Sequence, residues 1–231
     1  MTIISISGDT VSVSSKGRKV HSKSSTIIRK GVTRPRIIID DIGRASIGDY
    51  FTTVLNDGKP ARFDCVDRKD GFVRFDSHDC IISSKWNESD TSEGGYLKSL
   101  VRKSMDYVWD LIPEELQEVI VEAPRLCIDG EDVCEFQTKL FLPDESELFD
   151  EDECRNLRLY EQLGWYKDRR NRMKGEAFGK DAVDYWTATP HGPALWKIVE
   201  RVHSGGSADG DYASRAHGVP VCFLVRAEKT R

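Results

Sequence analysis

Two histidines and two aspartates lie near the C-terminus, where they could form a hydrolytic or metal-binding site. His191 and His203 flank Trp196, and Asp209 and Asp211 follow a few residues later. Imidazoles and carboxylates serve both as general bases and as zinc ligands. No serine or cysteine in a G-x-S-x-G context accompanies them. We therefore interpret the two histidines as exposed loop residues without a catalytic role.

Metal and cofactor motifs are weak elsewhere in the chain. His78 and Cys80 are two residues apart, but no second ligand pair lies at zinc-finger spacing. Residues 144–153 hold seven carboxylates without the D-x-D-x-D-G loop of an EF-hand. This run predicts the solvated start of a helix, with carboxylates near its N-terminal dipole, and a calcium site is the weaker alternative. The sequence therefore predicts no metal and no cofactor.

The six cysteines are scattered along the chain and form no C-x-x-C pair: Cys65, Cys80, Cys127, Cys134, Cys154 and Cys222. The first residues lack the basic and long apolar regions of a secretory signal. No stretch approaches the roughly 18 apolar residues of a membrane helix. We therefore expect synthesis in a cytoplasm, reduced thiols and no membrane span, while pairing of some cysteines stays open.

The net charge of -5 hides a basic N-terminus joined to an acidic remainder. Residues 1–36 carry eight basic side chains and one acidic one, a charge of +7, so the other residues carry -12. Alternating residues 4–7 and 11–14 predict a small β-hairpin around Gly8. Because two strands alone are marginally stable in water, we expect a partner to order this arm, and a flexible basic tail is the alternative.

We divide the chain into a basic N-terminal β arm at residues 1–41 and one domain at residues 42–231. Nucleic-acid binding by the arm is disfavoured because the arm has no aromatic side chain to stack on bases. Contacts to an assembly are instead expected from four basic residues: Lys16, Arg18, Lys19 and Lys23.

The pattern of the domain predicts strands, then helices, then strands. Turn signals between short β-branched and aromatic runs predict antiparallel strands at residues 37–39, 50–55, 61–66 and 72–75. Apolar residues from Leu97 to Trp109 repeat at helical spacing, and Pro113 begins a second short helix. Strands return at residues 185–190, 196–202 and 219–225, and the last is apolar on both faces and therefore central. This order predicts the α+β class.

Four segments resemble, in order, the motifs of a group of phage and prophage proteins. They are residues 47–51 (IGDYF) with 63–66 (FDCV), 96–102 (YLKSLVR), 139–147 (KLFLPDESE), and 185–190 (YWTATP) with 218–224 (GVPVCFL). Those proteins carry a domain of unknown function that is similar to formylglycine-generating enzymes and to C-type lectins. The resemblance spans about residues 42 to 227.

The resemblance implies a C-type-lectin-like fold with antiparallel strands and two or three helices. It also implies a non-enzymatic virion component, for example a tail protein displayed for host attachment or decoration. Enzymes of the formylglycine-generating type use two neighbouring cysteines near the end of the fold, where this chain has only Cys222. A metal- or thiol-dependent enzyme and a free glycan- or protein-binding module remain the alternatives.

In the resembled fold, the binding surface lies on loops near the C-terminal strands, here residues 187–196 and 203–212. A loop rich in Gly, Ser, Asp and Tyr on a rigid scaffold has the composition of a paratope, and a polar connection without a partner is the alternative. The implied binding residues are His191, Trp196, His203, Asp209, Asp211, Tyr212 and Arg215.

The implied location is the phage particle, after synthesis in a bacterial cytoplasm. The implied partners are other virion proteins through the arm, a host-surface glycan or protein, and further copies of the chain.

Overall fold

The structure is a computed structural model that describes residues 39–176, 181–191 and 195–228, together with four N-terminal strands as backbone. Those strands are β1 Ile3–Ser7, β2 Thr10–Ser14, β3 Ile28–Arg29 and β4 Val32–Thr33. β1 and β2 pair in antiparallel fashion, which confirms the predicted hairpin. The predicted assembly residues of the arm lie outside the described residues: Lys16, Arg18, Lys19 and Lys23.

A 3-10 helix, Ile39–Arg44, opens the continuous part of the chain. The strands that follow are β5 Tyr50–Val54, β6 Pro60–Lys69, β7 Phe72–Ser77, β8 Ile82–Lys85, β9 Ile120–Val121, β10 Ala123–Asp129, β11 Asp132–Thr138, β12 Lys174–Gly175, β13 Ala182–Val183, β14 Tyr185–Pro190, β15 Ile198–Val202, β16 Ala208–Tyr212, β17 Ala216–Val219 and β18 Cys222–Arg226. The α-helices are α1 Gly95–Lys98, α2 Leu100–Leu111, α3 Glu114–Gln117 and α4 Glu145–Leu148. Within the described residues, no helix is long and apolar enough to cross a membrane.

Two five-stranded sheets form the framework of the domain. The first has the strand order β5-β6-β7-β18-β9, and the second has the order β16-β15-β14-β17-β8. Strands β14 and β17 pair in parallel, whereas the other pairs of both sheets are antiparallel. β10 and β11 form a separate hairpin. The fold is therefore α+β with mostly antiparallel strands, as the sequence predicts.

The first sheet has an apolar face and a polar face, because successive side chains of a strand point to opposite sides. Four fully buried phenylalanines meet on the apolar face with ring centroids 5.1 to 5.8 Å apart: Phe51, Phe63, Phe75 and Phe223. They share one hydrophobic core with Val101 and Met105 of α2. The polar face carries a row of register partners across β5, β6 and β7, namely Tyr50, Asp64 and Asp76.

The predicted helix over Leu97 to Trp109 is interrupted at Ser99. The Ser99 side chain accepts a hydrogen bond from the Arg102 backbone N–H at 3.0 Å, so Ser99 is the N-cap of α2. The residues before it form the separate short helix α1, on which Leu97 is exposed. A serine that offers the backbone an alternative hydrogen bond explains why the apolar period alone predicts too long a helix.

Two strand predictions need correction, and one hairpin is not predicted at all. Ile39 begins a 3-10 helix rather than ending a strand. The predicted strand at residues 219–225 is two strands in two sheets, and the break falls at Pro220, which cannot donate a ladder hydrogen bond. β18 does lie inside the first sheet, as predicted for a strand that is apolar on both faces. The hairpin β10–β11 is not predicted from the sequence, because its mostly exposed strand β11 (DVCEFQT) lacks a regular two-residue alternation.

Candidate functional site

The hairpin β15–β16 divides the predicted binding residues between its two ends. Ile198 lies opposite Tyr212, and the connecting turn contains only residues 203–207. The prediction of a loop up to Tyr212 is therefore wrong, because its last five residues pair as an edge strand. His203 lies in the turn, whereas Trp196 and Tyr212 lie at the other end, about 16 Å away at the usual rise of a strand.

Trp196 and Tyr212 expose 44% and 46% of their surface at one end of the hairpin. Backbone hydrogen bonds fix the chain around them. The Ser92 N–H donates to the Trp196 carbonyl at 2.5 Å, and the Ala213 N–H donates to the Lys197 carbonyl at 2.9 Å. We call Trp196, Tyr212 and the cleft beside Trp196 the Trp196 surface.

The cleft beside Trp196 has a volume of about 230 Å³ and lies between three segments, residues 92–98, 129–130 and 190–191. An ion pair of 3.8 Å between Lys98 and Asp129 joins the first two segments. Gly95 brings them into contact, because a Cβ at this position would collide with the Ile128 carbonyl and its φ of +60° suits glycine. Lys98 and Asp129 are not among the predicted binding residues, because neither lies near the C-terminal strands in sequence.

His191 is anchored to a buried glutamate and is not the freely exposed loop residue that the sequence predicts. Its Nδ1 is hydrogen-bonded to Glu200 Oε1, and Glu200 is only 1% exposed. The Asn156 side chain then donates to Glu200 at 3.1 Å and to Glu145 at 2.8 Å. The imidazole therefore borders the cleft in a fixed orientation. The one sequence signal for this network is a glutamate inside the apolar strand Ile198–Val202.

Asp209 and Asp211 are held by Arg201 rather than turned towards a ligand. Arg201 contacts Asp209 at 2.7 Å and Asp211 at 3.8 Å, and it also pairs with Asp184. His217 adds a 2.9 Å hydrogen bond to Asp211. Burial would raise the pKa of Asp209 and of Asp211, but backbone hydrogen bonds and Arg201 outweigh burial and lower both pKa values. The two aspartates are thus charged partners of a structural network.

The two remaining predicted binding residues, His203 and Arg215, also lie at opposite ends of the hairpin β15–β16. His203 is exposed, and its Nδ1 accepts a hydrogen bond from the Gly205 N–H at 3.1 Å, which closes the turn. Arg215 is exposed, and its N–H donates to the Tyr212 carbonyl at 2.9 Å. Arg215 therefore lies next to Tyr212 at the edge of the Trp196 surface, and His191 lines the cleft, whereas His203 lies at the other end of the hairpin.

The acidic run at residues 144–153 begins the predicted helix, but its first part is buried rather than solvated. Asp144 caps α4 and forms a capping box with Glu147. Glu147 pairs with Arg74 and, at 2.8 Å, with Arg125. Burial would raise the pKa of Glu147, but the two guanidinium charges outweigh burial and lower that pKa. Arg74 and Arg125, the cations that permit this burial, lie far away in sequence. The acidic run therefore reads as solvated when the sequence is considered alone.

Glu145 should make folding less favourable as the pH rises. Burial first, and the neighbouring Glu200 second, raise the pKa of the Glu145 carboxyl above 4.5. The stability that Glu145 contributes is therefore fully present below its ordinary pKa and is lost as the pH rises through the raised value. Glu145→Gln removes this titration, so its free energy of unfolding relative to wild type should increase between about pH 4 and pH 8.

Urea denaturation at several pH values measures this change, with the exposed Glu151→Gln as the matched variant in the same acidic run. A difference between Glu145→Gln and wild type that does not change with pH, or that falls as the pH rises, would contradict the assignment.

The cysteine side chains have the burial of structural residues rather than of reactive thiols. All six cysteines are free, and four of them are buried: Cys65, Cys80, Cys127 and Cys222. Burial raises the pKa of Cys65, Cys80 and Cys127 to about 12, and it raises the pKa of Cys154 to about 11. Thiols that are protonated at neutral pH are poor nucleophiles. Among the described residues, no group of three or more His, Cys, Asp or Glu side chains is arranged to hold a metal ion.

Residues 75–227 match a protein family described as a domain of unknown function (DUF6273), which covers about two thirds of the chain. The chain belongs to the DUF6273 family. No curated protein and no solved structure matches it. The DUF6273 segment begins in β7 and ends just after β18, so it contains the whole Trp196 surface and Glu147 with Arg125, whereas Arg74 directly precedes the segment. Strands β5 and β6 precede the segment but pair within the same first sheet.

Proposed function

We propose that this DUF6273 protein is a non-enzymatic binding protein and that the Trp196 surface contacts its partner. The observation that carries the proposal is the joint exposure of Trp196 and Tyr212 at one hydrogen-bonded end of a hairpin. Large aromatic side chains dominate the binding energy of protein interfaces, and they lose little conformational entropy on binding. A backbone that is already fixed reduces the ordering cost further.

The electrostatics of Asp64 and Asp76 do not suit a pair of catalytic carboxylates. Asp64 and Asp76 lie opposite each other on β6 and β7, as two catalytic carboxylates would. Burial would raise the pKa of each, but their cationic and hydrogen-bonding partners outweigh burial, and both pKa values are lowered. Both groups therefore stay charged at neutral pH. The pair has no protonated member to act as the general acid.

We further propose that the protein is a phage or prophage structural component with a C-type-lectin-like domain at residues 42–231. The arm at residues 1–41 would join it to other virion proteins, and the Trp196 surface would contact a host-surface glycan or protein. The ordered motifs and the division of charge into +7 and -12 support this assignment. Assembly of several copies into the particle would follow synthesis in the bacterial cytoplasm.

Purified particles from the strain that carries the gene should contain this chain, as measured by quantitative mass spectrometry. Replacement of four basic arm residues with glutamine should reduce incorporation: Lys16, Arg18, Lys19 and Lys23. Replacement of four exposed lysines of the domain with glutamine is the matched control and should leave incorporation unchanged. These are Lys69, Lys85, Lys103 and Lys167. Particles that lack the wild-type chain would contradict the structural role, and equal loss in both variants would contradict the role of the arm.

A further inference from the structure

A second concave site lies on the polar face of the first sheet, away from the Trp196 surface. It has a volume of about 240 Å³ and lies between strands β5 to β7 and residues 165–174. Trp165 forms one wall and packs on Gly48, where a Cβ would lie 3.3 Å from the ring and where φ is +90°. The volume is below the roughly 300–1,000 Å³ of pockets for drug-sized ligands, so the site suits a single small ring. We call it the Asp64 pocket.

The floor of the Asp64 pocket holds two buried carboxylates that are fixed by their neighbours. Asp64 accepts hydrogen bonds from Arg62 at 2.8 Å and from His78 Nδ1 at 2.8 Å. Asp76 accepts one from the Tyr166 hydroxyl at 2.5 Å and two from Arg74, at 2.8 and 3.1 Å, and it is only 1% exposed. Each carboxylate oxygen has two lone pairs, so Asp64 keeps the capacity to accept a further hydrogen bond from a ligand hydroxyl, whereas Asp76 holds the pocket floor in place.

The rim of the pocket combines aromatic surface with both kinds of hydrogen-bonding group. The Arg62 guanidinium lies over the Tyr50 ring, 3.8 Å from its centroid, and keeps further N–H donors. The His78 side chain is 45% exposed. His78 Nδ1 is hydrogen-bonded to Asp64, so Nε2 is the ring nitrogen that remains for a ligand. A ligand at this rim therefore meets donors, acceptors and an apolar face together.

The charges around the pocket are compensated by fixed partners. Arg62 pairs with Asp64 at 2.7 Å, and Arg170 pairs with Asp168 at 2.8 Å. Lys174 donates to the Ser77 carbonyl, and its charge also acts on Asp76. A charged ligand would compete with these existing partners, whereas a neutral ligand can add hydrogen bonds beside them. The balance of charge therefore selects an uncharged ligand.

We propose that the Asp64 pocket binds one neutral sugar ring. Each sugar hydroxyl is both a donor and an acceptor, which matches the mixed groups at the rim, and the C–H face of the ring matches the wall formed by Trp165. The site is separate from the Trp196 surface and does not depend on the function proposed for that surface. A ligand of this size should bind with a dissociation constant on the order of 1 mM.

Saturation-transfer NMR on the full chain tests the proposal with four neutral sugars, D-glucose, D-galactose, D-mannose and N-acetyl-D-glucosamine. Sodium D-glucuronate and inorganic phosphate serve as charged comparators. At least one neutral sugar should bind, and His78→Ala should weaken that binding by about tenfold, the loss expected for one hydrogen-bonding group. Tyr107→Ala, at an exposed ring of α2, which packs on the opposite, apolar face of the first sheet, should bind like wild type.

Trp165→Leu provides a second variant that keeps an apolar wall, and circular dichroism confirms that each variant is folded. This variant should also lose affinity for the sugar. No binding of any neutral sugar at about 20 mM, well above the expected dissociation constant, would overturn the proposal. So would tighter binding of glucuronate or phosphate, or unchanged affinity in folded His78→Ala. Trp196→Ala should leave sugar binding unchanged, which separates this test from that of the Trp196 surface.

Discussion

Replacement of Arg74 with methionine should lower the free energy of unfolding by about 3–5 kcal/mol, the cost of breaking a buried ion pair from one side. Arg74 is almost fully buried and bridges Asp76, at 2.8 Å, and Glu147. Burial opposes its charge, but the two carboxylates outweigh burial and raise the pKa of Arg74 further. Methionine fills a similar volume but leaves both carboxylates without this cation. The expected loss of unfolding free energy therefore comes from the uncompensated carboxylate charges and not from a cavity.

Urea denaturation followed by tryptophan fluorescence measures this loss at neutral pH. Arg170→Met is the matched control, because Arg170 forms an exposed ion pair with Asp168 and should leave the stability close to that of wild type. Glu147→Gln should be destabilising as well, since it removes one anion from the same cluster. A loss below about 1 kcal/mol for Arg74→Met would contradict the buried network.

Phe223→Ala should destabilise the protein by about 3–5 kcal/mol, the range for a phenylalanine removed from a packed core. Phe223 is fully buried, and its ring lies 5.2 Å from Phe63 and 5.8 Å from Phe75. It lies on β18, inside the first sheet, so neighbouring strands limit how far the cavity can collapse.

Thermal and urea denaturation of Phe223→Ala should both show the loss. Tyr107→Ala, at a ring that is 57% exposed, should change the free energy of unfolding by less than about 0.5 kcal/mol. Equal stability of the two variants would show that the four phenylalanines do not form the core described above. The burial of Phe223 would then not explain the apolar character of residues 218–224, a segment on which the resemblance partly rests.

The segments that carry the resemblance are mostly parts of the scaffold. Trp186 and Phe223, from the two closing segments, are fully buried. Glu147, from the segment at residues 139–147, belongs to the buried ion cluster. These residues therefore stabilise the fold of this chain, and they say little about what the chain binds. The surface residues Trp196 and Tyr212 lie outside all four segments.

Local patterns were sufficient for the strands β5 to β7 and for the start of α4. There the two-residue alternation and the turn at Asp70 and Gly71 directly determine the structure. The helix start at Ser99 and the strand break at Pro220 are also predictable from sequence, because an N-cap side chain and a missing N–H both act on the local backbone.

The polar networks could not be predicted in the same way. Glu147 lies 73 residues from Arg74, and Glu200 lies 44 residues from Asn156. A carboxylate in an acidic run looks solvated unless the buried cation that pairs with it is known, and that pairing depends on the tertiary fold. The residues on the two sides of the Trp196 cleft, such as Lys98 and His191, are likewise brought together only by the fold.

The most direct test of the proposed function is the binding of purified, fluorescently labelled protein to cells of the host bacterium. The double variant Trp196→Ala and Tyr212→Ala should lose more than about tenfold of the cell-bound signal, because central aromatic residues contribute most of the energy of an interface. It should keep the circular dichroism spectrum and unfolding midpoint of wild type, since both rings are exposed. Tyr107→Ala, which removes an exposed ring elsewhere, should bind like wild type. Undiminished binding by the folded double variant, or no binding by the wild-type chain, would contradict the account.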